Sequence, residues 1–290
     1  MLKWILAILL LFPILALSAT PAFAWGAGMH LAIGNFLLDN LRLLVPGIAS
    51  LLESHPTSFL YGCLSADILI GKGKKITPSH CHSWEAGLNL LRSAESNRLK
   101  AYGHGYLSHL AADIVAHNYF VPNLLQKLPG KGKFSHVYIE MQADRKVGWN
   151  FKQANKVIWR PNPEADYSLL SVLQKPKLAF NLKKKVYQSS ISLTSSKSWQ
   201  SSLFLLDQAL PFKKNWWYLQ EMLSLSLSVV VDTLNHYEEA AALLYDPMGI
   251  RHLEFVKKRK KLERAHVIDP SEPYFFLPDS RLTALPIFYN

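Results

Sequence analysis

Apolar residues recur at three- and four-residue intervals along most of the chain, the spacing that lines one face of a helix. The pattern predicts helices over 29–44, 84–99, 102–119, 136–147, 199–210 and 216–245. Glycine and proline punctuate the intervals, at Pro46-Gly47, 71–73, 129–132, 161–163 and 247–249. Strand-like alternation is scarce, apart from one short run near 186–193. The stretch 154–197 is the least periodic and reads as a long connection or a lid. No internal repeat or low-complexity tract interrupts the pattern. The expected architecture is all-α, a multi-helix bundle.

The first 24 residues follow a different pattern. Lys3 precedes an apolar run over 4–17 broken by Pro13, and Ala22-Phe23-Ala24 supplies a small-x-small cleavage site. The run is shorter than the roughly 20 residues that span a bilayer. It reads as a signal peptide, 1–24, leaving 25–290 as one all-α domain. Within that domain the metal-binding core is expected over about 25–150 and C-terminal helices over about 155–290. Cleavage after Ala24 would export the protein, as a secreted, periplasmic or cell-envelope species. It would also leave Trp25 at the new N-terminus with a free α-amino group.

Composition narrows the function classes. Of the 290 residues, 49% are hydrophobic and 18% charged, which excludes a disordered chain. Two cysteines exclude a disulfide scaffold and a cysteine-rich zinc ribbon, while 11 histidines leave metal chemistry open. The net charge of +11 predicts attraction to something anionic: acidic lipid, polyphosphate or nucleic acid. Basic clusters recur at Lys72-Lys74-Lys75, 183–185 and 257–261, each read as a solvated face or loop, the longer run 257–264 alternatively as an anion-binding helix face.

The histidines are not scattered. Eight of the eleven lie between His30 and His136. His109, Asp113 and His117 are spaced i, i+4, i+8, one stripe along a helix whose intervening residues are apolar. Burying three such groups without partners would cost several kcal/mol; a divalent cation would satisfy all three, and the alternative is a pair of core histidines hydrogen-bonded to the aspartate. His136 and Glu140 repeat the i, i+4 offset, Ser79-His80-Cys81-His82 offers two further imidazoles, Asp67 ends an apolar stretch, and His30 lies near the expected N-terminus. Nitrogen and carboxylate ligands with few thiolates favour zinc over manganese or iron. Asp232 and His236 share the i, i+4 offset but have no surrounding ligand set and read as structural.

The ordered set Trp25, His30, Asp67, His80, His109-x-x-x-Asp113-x-x-x-His117 and His136-x-x-x-Glu140 resembles the zinc-dependent phospholipase C family, itself related to the S1/P1-type nucleases. The resemblance covers roughly residues 25–144. It implies up to three zinc ions. One would be held by Asp67, His80, His109 and Asp113, a second by His117, His136 and Glu140. The third would take the amino nitrogen and carbonyl oxygen of Trp25, His30 and the other oxygen of Asp113.

Three departures stand out. The gap from Asp113 to His117 is shorter than in the secreted bacterial phospholipases and matches the N-terminal domain of the phospholipase D that acts on glycosylphosphatidylinositol anchors. His82 competes with His80 as a ligand. The acidic residue that helps those bacterial enzymes bind choline would fall at Gly28.

The chemistry implied is phosphodiester hydrolysis by metal-activated water, with Asp67 as the catalytic residue that orients or deprotonates that water. The favoured substrate is a phospholipid, cleaved to diacylglycerol and a phosphorylated head group. Trp216, Trp217 and Tyr218 are read either as core or as interfacial contacts, with peripheral attraction to an anionic membrane surface. A monomer is expected. The alternatives are a single-strand nuclease, with nucleic acid as substrate, and a non-catalytic exported zinc-binding protein. Cys63 and Cys81, each near a proposed ligand, are either a disulfide or buried thiols.

Overall fold

The computed structural model describes residues 25–69, 80–128, 133–194, 196–209, 215–267, 269 and 274–288. The expected signal peptide, the cluster Lys72-Lys74-Lys75 and the glycine-containing turns at 71–73 and 129–132 lie outside them. Among the described residues there is no strand, and the bundle is all-α as the periodicity predicts. None of their helices is long and apolar enough to cross a membrane.

In chain order the helices are α1 (Ala27–Asp39), α2 (Pro46–Ser54), α3 (Pro56–Ser65), α4 (Trp84–Arg92), α5 (Asn97–Val115), α6 (Val121–Lys127) and α7 (Lys133–Val147). They continue with α8 (Phe151–Trp159), α9 (Pro163–Leu173), α10 (Lys177–Thr194), α11 (Lys197–Ala209), α12 (Trp216–Asn235), α13 (Ile250–Arg264) and the short α14 (Ser280–Thr283). Pro46, Pro56 and Pro163 sit in first turns, where a missing N–H costs nothing.

Three predicted helices are cut shorter by side chains that compete for the backbone. The 29–44 span stops at Asp39, where Asn40 Nδ2 donates to the Phe36 carbonyl at 2.8 Å. The 84–99 span is two helices, because Ser96 Oγ accepts from the Leu99 amide at 3.2 Å and so caps α5. The 216–245 span ends at Asn235, whose side chain turns away to the Leu43 carbonyl (3.0 Å) and the Val45 amide (2.9 Å).

Two further expectations are corrected. The run 186–193 is not a strand, and 154–197 is not a long irregular connection: it holds the end of α8 and all of α9 and α10. The buried residues of α10 are Phe180, Lys184, Tyr187, Gln188 and Ile191, a helical stripe that carries a lysine and a glutamine. Lys184 is accommodated because its Nζ donates to Asp166 Oδ2 at 2.6 Å, and the Tyr61 hydroxyl donates to the other oxygen. The polar members of the stripe mask the period in the sequence.

α5 is the axis of the bundle, buried from Ala101 to Val115 and packed against α3, α4 and α12. Glycines set its distance from α3. A Cβ on Gly62 would lie 2.2 Å from the Tyr102 carbonyl oxygen, and one on Gly105 would lie 2.0 Å from that of Phe59. The close approach sets the tight 66–69 turn that follows α3, with Asp67 on it, alongside the His109 turn of α5. α10 packs on the same 66–69 turn, where Lys183 Nζ donates to the Leu69 carbonyl at 3.2 Å.

Candidate metal centre

The α5 stripe faces inward along its length. His109 and Asp113 are buried on its last turns, and His117 lies in the π-helical turn 116–120 that continues it. The wider turn has a local cause. Pro122 has no N–H to give the Asn118 carbonyl, which instead accepts from His252 Nδ1 at 2.7 Å, while the Val121 amide reaches back to Ala116.

Four side-chain atoms converge beside this stripe. His82 Nε2 lies 3.1 Å from His109 Nε2, and 3.3 Å from both Asp67 Oδ1 and Asp113 Oδ2. His109 Nε2 lies 3.5 Å from Asp67 Oδ1 and 3.3 Å from Asp113 Oδ2. A tetrahedral ion with ligands at about 2.0–2.1 Å has ligand-to-ligand edges of about 3.3 Å. These separations match that figure, and two imidazole nitrogens turned toward each other suit a shared cation better than a shared proton.

The other oxygen of Asp113 serves a different neighbour. His30 Nε2 lies 3.2 Å from Asp113 Oδ1, and its ring stacks on that of His109 with centroids 3.7 Å apart. Trp25, five residues earlier, is buried against Phe120 at 4.6 Å between centroids, and its indole N–H donates to Ser226 Oγ at 3.2 Å. A further set lies along α7, where His136 Nε2 is 2.9 Å from Glu140 Oε1 and the His136 ring meets that of His117 edge-on at 5.8 Å.

Backbone carbonyls fix two of these imidazoles. His109 Nδ1 donates to the Cys63 carbonyl at 2.8 Å, and His117 Nδ1 donates to that of Pro247 at 2.6 Å. Each bond places a proton on Nδ1, so that Nε2 is the nitrogen turned into the site and the one available to a metal. Gly249 makes the second possible: it has φ +53°, and a Cβ there would meet the His117 carbonyl oxygen at 2.2 Å.

The electrostatics call for cations. Asp67, Asp113 and Glu140 are buried, and among the described residues their close ion-pair partners are histidines. Burial lowers His30 and His117, keeping them neutral. Burial also opposes charge on His109, but Asp113 and Asp67 outweigh it and lift it to about 9. Burial alone would raise Asp113, yet His109 and His30 hold it well below the usual carboxylate range. Glu140 is pushed well above its usual value by burial and by Asp67, Asp144 and Asp113. Among the described residues several buried atoms here lack a well-directed hydrogen bond and face at most other candidate ligand atoms: Asp67 Oδ2, both Asp113 oxygens, His30 Nε2, His117 Nε2 and Glu140 Oε1. Divalent ions would satisfy all of them, so the residues present fit the metals the sequence implies.

His80 takes a different place from His82. It is partly exposed, and its Nδ1 accepts from the His82 amide at 3.0 Å, shaping the turn that delivers His82. Of the two imidazoles left open by the sequence, the structure brings His82 into the quartet. Cys63 and Cys81 are separate buried thiols, and Cys81 Sγ lies 3.3 Å from His82 Nδ1. Asp232 and His236 pair with each other at 3.1 Å at the far end of α12, away from this cluster.

Residues 29–202, more than half of the chain, match the sequence model of the zinc dependent phospholipase C family. The chain belongs to the zinc-dependent phospholipase C family. Comparison with curated proteins and with solved structures returned no match. The matched span carries every side chain of the three clusters except Trp25. Gly28, where the resemblance expects an acidic residue, has a structural explanation. The Trp149 indole lies over it, and a Cβ there would meet Trp149 Nε1 at 2.4 Å. An acidic side chain at this position has no room.

Two residues at the site fall outside the predicted ligand set. Tyr187 of α10 is buried with no hydrogen-bond partner for its hydroxyl among the described residues, and burial together with Asp67, Asp144 and Asp113 raises it well above its usual value. Asp144 lies four residues beyond Glu140, continuing the i, i+4 offset by which it might have been found. Burial of its carboxyl group lifts it to about 7, against two amide hydrogen bonds.

Proposed function

We propose that the chain is an exported phosphodiesterase binding three zinc ions, and that it hydrolyses phospholipid head-group phosphodiesters in the manner of a phospholipase C. The observation that carries the reading is the quartet of Asp67, His82, His109 and Asp113, with the second oxygen of Asp113 turned to His30. Three ions follow from three clusters: the quartet; His117, His136 and Glu140; and Trp25 and His30 joined through Asp113.

Bound zinc supplies an activated water near neutral pH and neutralises the phosphoryl oxygens. The residues of the chain do the positioning. Asp67 places one oxygen in the quartet, while its Oδ2 has no hydrogen-bond partner among the described residues and is able to orient the attacking water and accept its proton. Tyr187 has a hydroxyl proton to donate to a phosphoryl or leaving oxygen. The carbonyls of Cys63 and Pro247 hold His109 and His117 in the tautomer a metal needs.

Trp25 can contribute its amino nitrogen only when it begins the chain, so the reading includes export and cleavage after Ala24. Peripheral contact with an anionic membrane is supported by the net charge of +11 and by Trp217, which is 82% exposed on α12. Its neighbour Tyr218 is instead tied inward, accepting from Asn123 at 2.7 Å. The chain is proposed to act as a monomer. The test is turnover by the zinc-loaded mature chain on phosphatidylcholine and phosphatidylinositol vesicles against single-stranded DNA. Release of a phosphorylated head group from vesicles supports the reading; cleavage of DNA alone, or turnover of neither, contradicts it.

A further inference from the structure

The first turn of α1 is gripped from α7. Asp144 Oδ2 accepts from the Gly28 amide and Oδ1 from the Met29 amide, both at 2.9 Å. The residue as a whole keeps some surface, but its carboxylate turns inward onto these amides. α1 has no capping side chain of its own, since its N-cap is Gly26. Both the N-cap glycine, Gly26, and Gly28 in the first turn are needed for the grip. A Cβ on Gly26 would lie 2.2 Å from Asp144 Oδ2, and one on Gly28 would strike the Trp149 indole. The segment between Trp25 and His30 is thus held between a carboxylate and an aromatic ring, both brought by α7 and the turn after it.

His136, Glu140 and Asp144 form one i, i+4, i+8 stripe on α7. The first two face His117, and the third holds the segment that ends in His30. We infer that Asp144 is a positioning residue for the Trp25 and His30 ligands, aligning their cluster with the His136–Glu140 cluster through a single helix. The inference rests on the three-zinc reading for the identity of what Trp25 and His30 hold. Asn at this position would keep one acceptor and present an N–H to the second amide, so one clamp bond is lost and replaced by repulsion. Glycine-to-alanine replacement at 28 displaces the same segment from the Trp149 side.

The test measures zinc per chain, and its retention against a chelator, in the mature zinc-loaded protein. The variants are D144N, G28A and, as a control, D207N on α11, whose carboxylate lies 3.7 Å from Arg145 of α7 rather than on the Trp25–His30 segment. D144N and G28A are expected to retain two of three ions with unchanged helicity, and D207N all three. In an H30A background D144N is expected to change retention no further, because it acts through the same ligands. Wild-type zinc content and retention in D144N, or losses that add to those of H30A, would overturn the inference. A wild-type count below three contradicts the three-zinc reading instead, and the H30A cycle still decides the role of Asp144.

Discussion

His30 and His109 lie face to face, their rings 3.7 Å apart and 13° from parallel, while their Nε2 atoms reach different oxygens of Asp113, Oδ1 at 3.2 Å and Oδ2 at 3.3 Å. One carboxylate therefore joins two clusters. Its replacement in D113N should remove two ions together and leave the His117, His136 and Glu140 set loaded. Activity should fall more than about 100-fold, beyond what loss of an outer partner costs. Metal analysis of the purified variant checks the count, and loss of a single ion would show that Asp113 does not bridge.

The two imidazoles flanking Cys81 should separate cleanly. H82A removes a quartet member and should lose zinc and turnover. H80A removes only an acceptor for the His82 amide and should keep its full zinc content, with a modest rise in the rate of zinc loss. Zinc titration of both variants under identical conditions makes the comparison; equal losses would place both imidazoles in the site.

Tyr187 offers a test in which stability and rate move in opposite directions. A buried hydroxyl without a partner costs about 1–3 kcal/mol, so Y187F should raise the melting temperature of the zinc-free chain. If the hydroxyl serves the reaction, kcat should drop about tenfold or more, one hydrogen bond to a charged group being worth about 1.5–3 kcal/mol. A stabler variant with undiminished kcat would make Tyr187 a packing residue.

The zinc-free chain should have a defined pH window. His109 is raised to about 9 by its carboxylates, so its contribution is present below 6.5 and lost as pH rises toward 9. Asp113 is held below its usual 3.8, so its contribution is present above that value and lost as pH falls beneath it. Stability from this pair is therefore greatest between roughly 4 and 6.5. Zinc displaces the His109 proton, so zinc affinity should rise with pH over the range in which the zinc-free chain weakens. Denaturant midpoints with and without zinc across pH 5–9 check both slopes.

Much of this site is legible in the sequence because helices translate spacing into direction. His109, Asp113 and His117 fall on one face at i, i+4, i+8, as do His136 and Glu140, and apolar neighbours mark those faces as buried. The choice between His80 and His82 is not legible, since both lie in a turn where a one-residue step reverses direction and no period applies. α10 is hidden for another reason: Lys184 and Gln188 occupy its buried stripe, and their partners Asp166 and the Ile158 carbonyl are distant in sequence. Tyr187, on that masked helix, has no sequence signal at all. Asp144 has one, the continued i+4 offset from Glu140, but its target is a pair of backbone amides more than a hundred residues away.

The central claim, a three-zinc centre completed by the chain's own amino terminus, is tested most directly on one preparation of the exported protein. Its N-terminal residue is read and its zinc per chain measured. The account predicts a chain that begins at Trp25 and carries three zinc ions. A chain beginning at Met1, or one carrying no zinc, would contradict it.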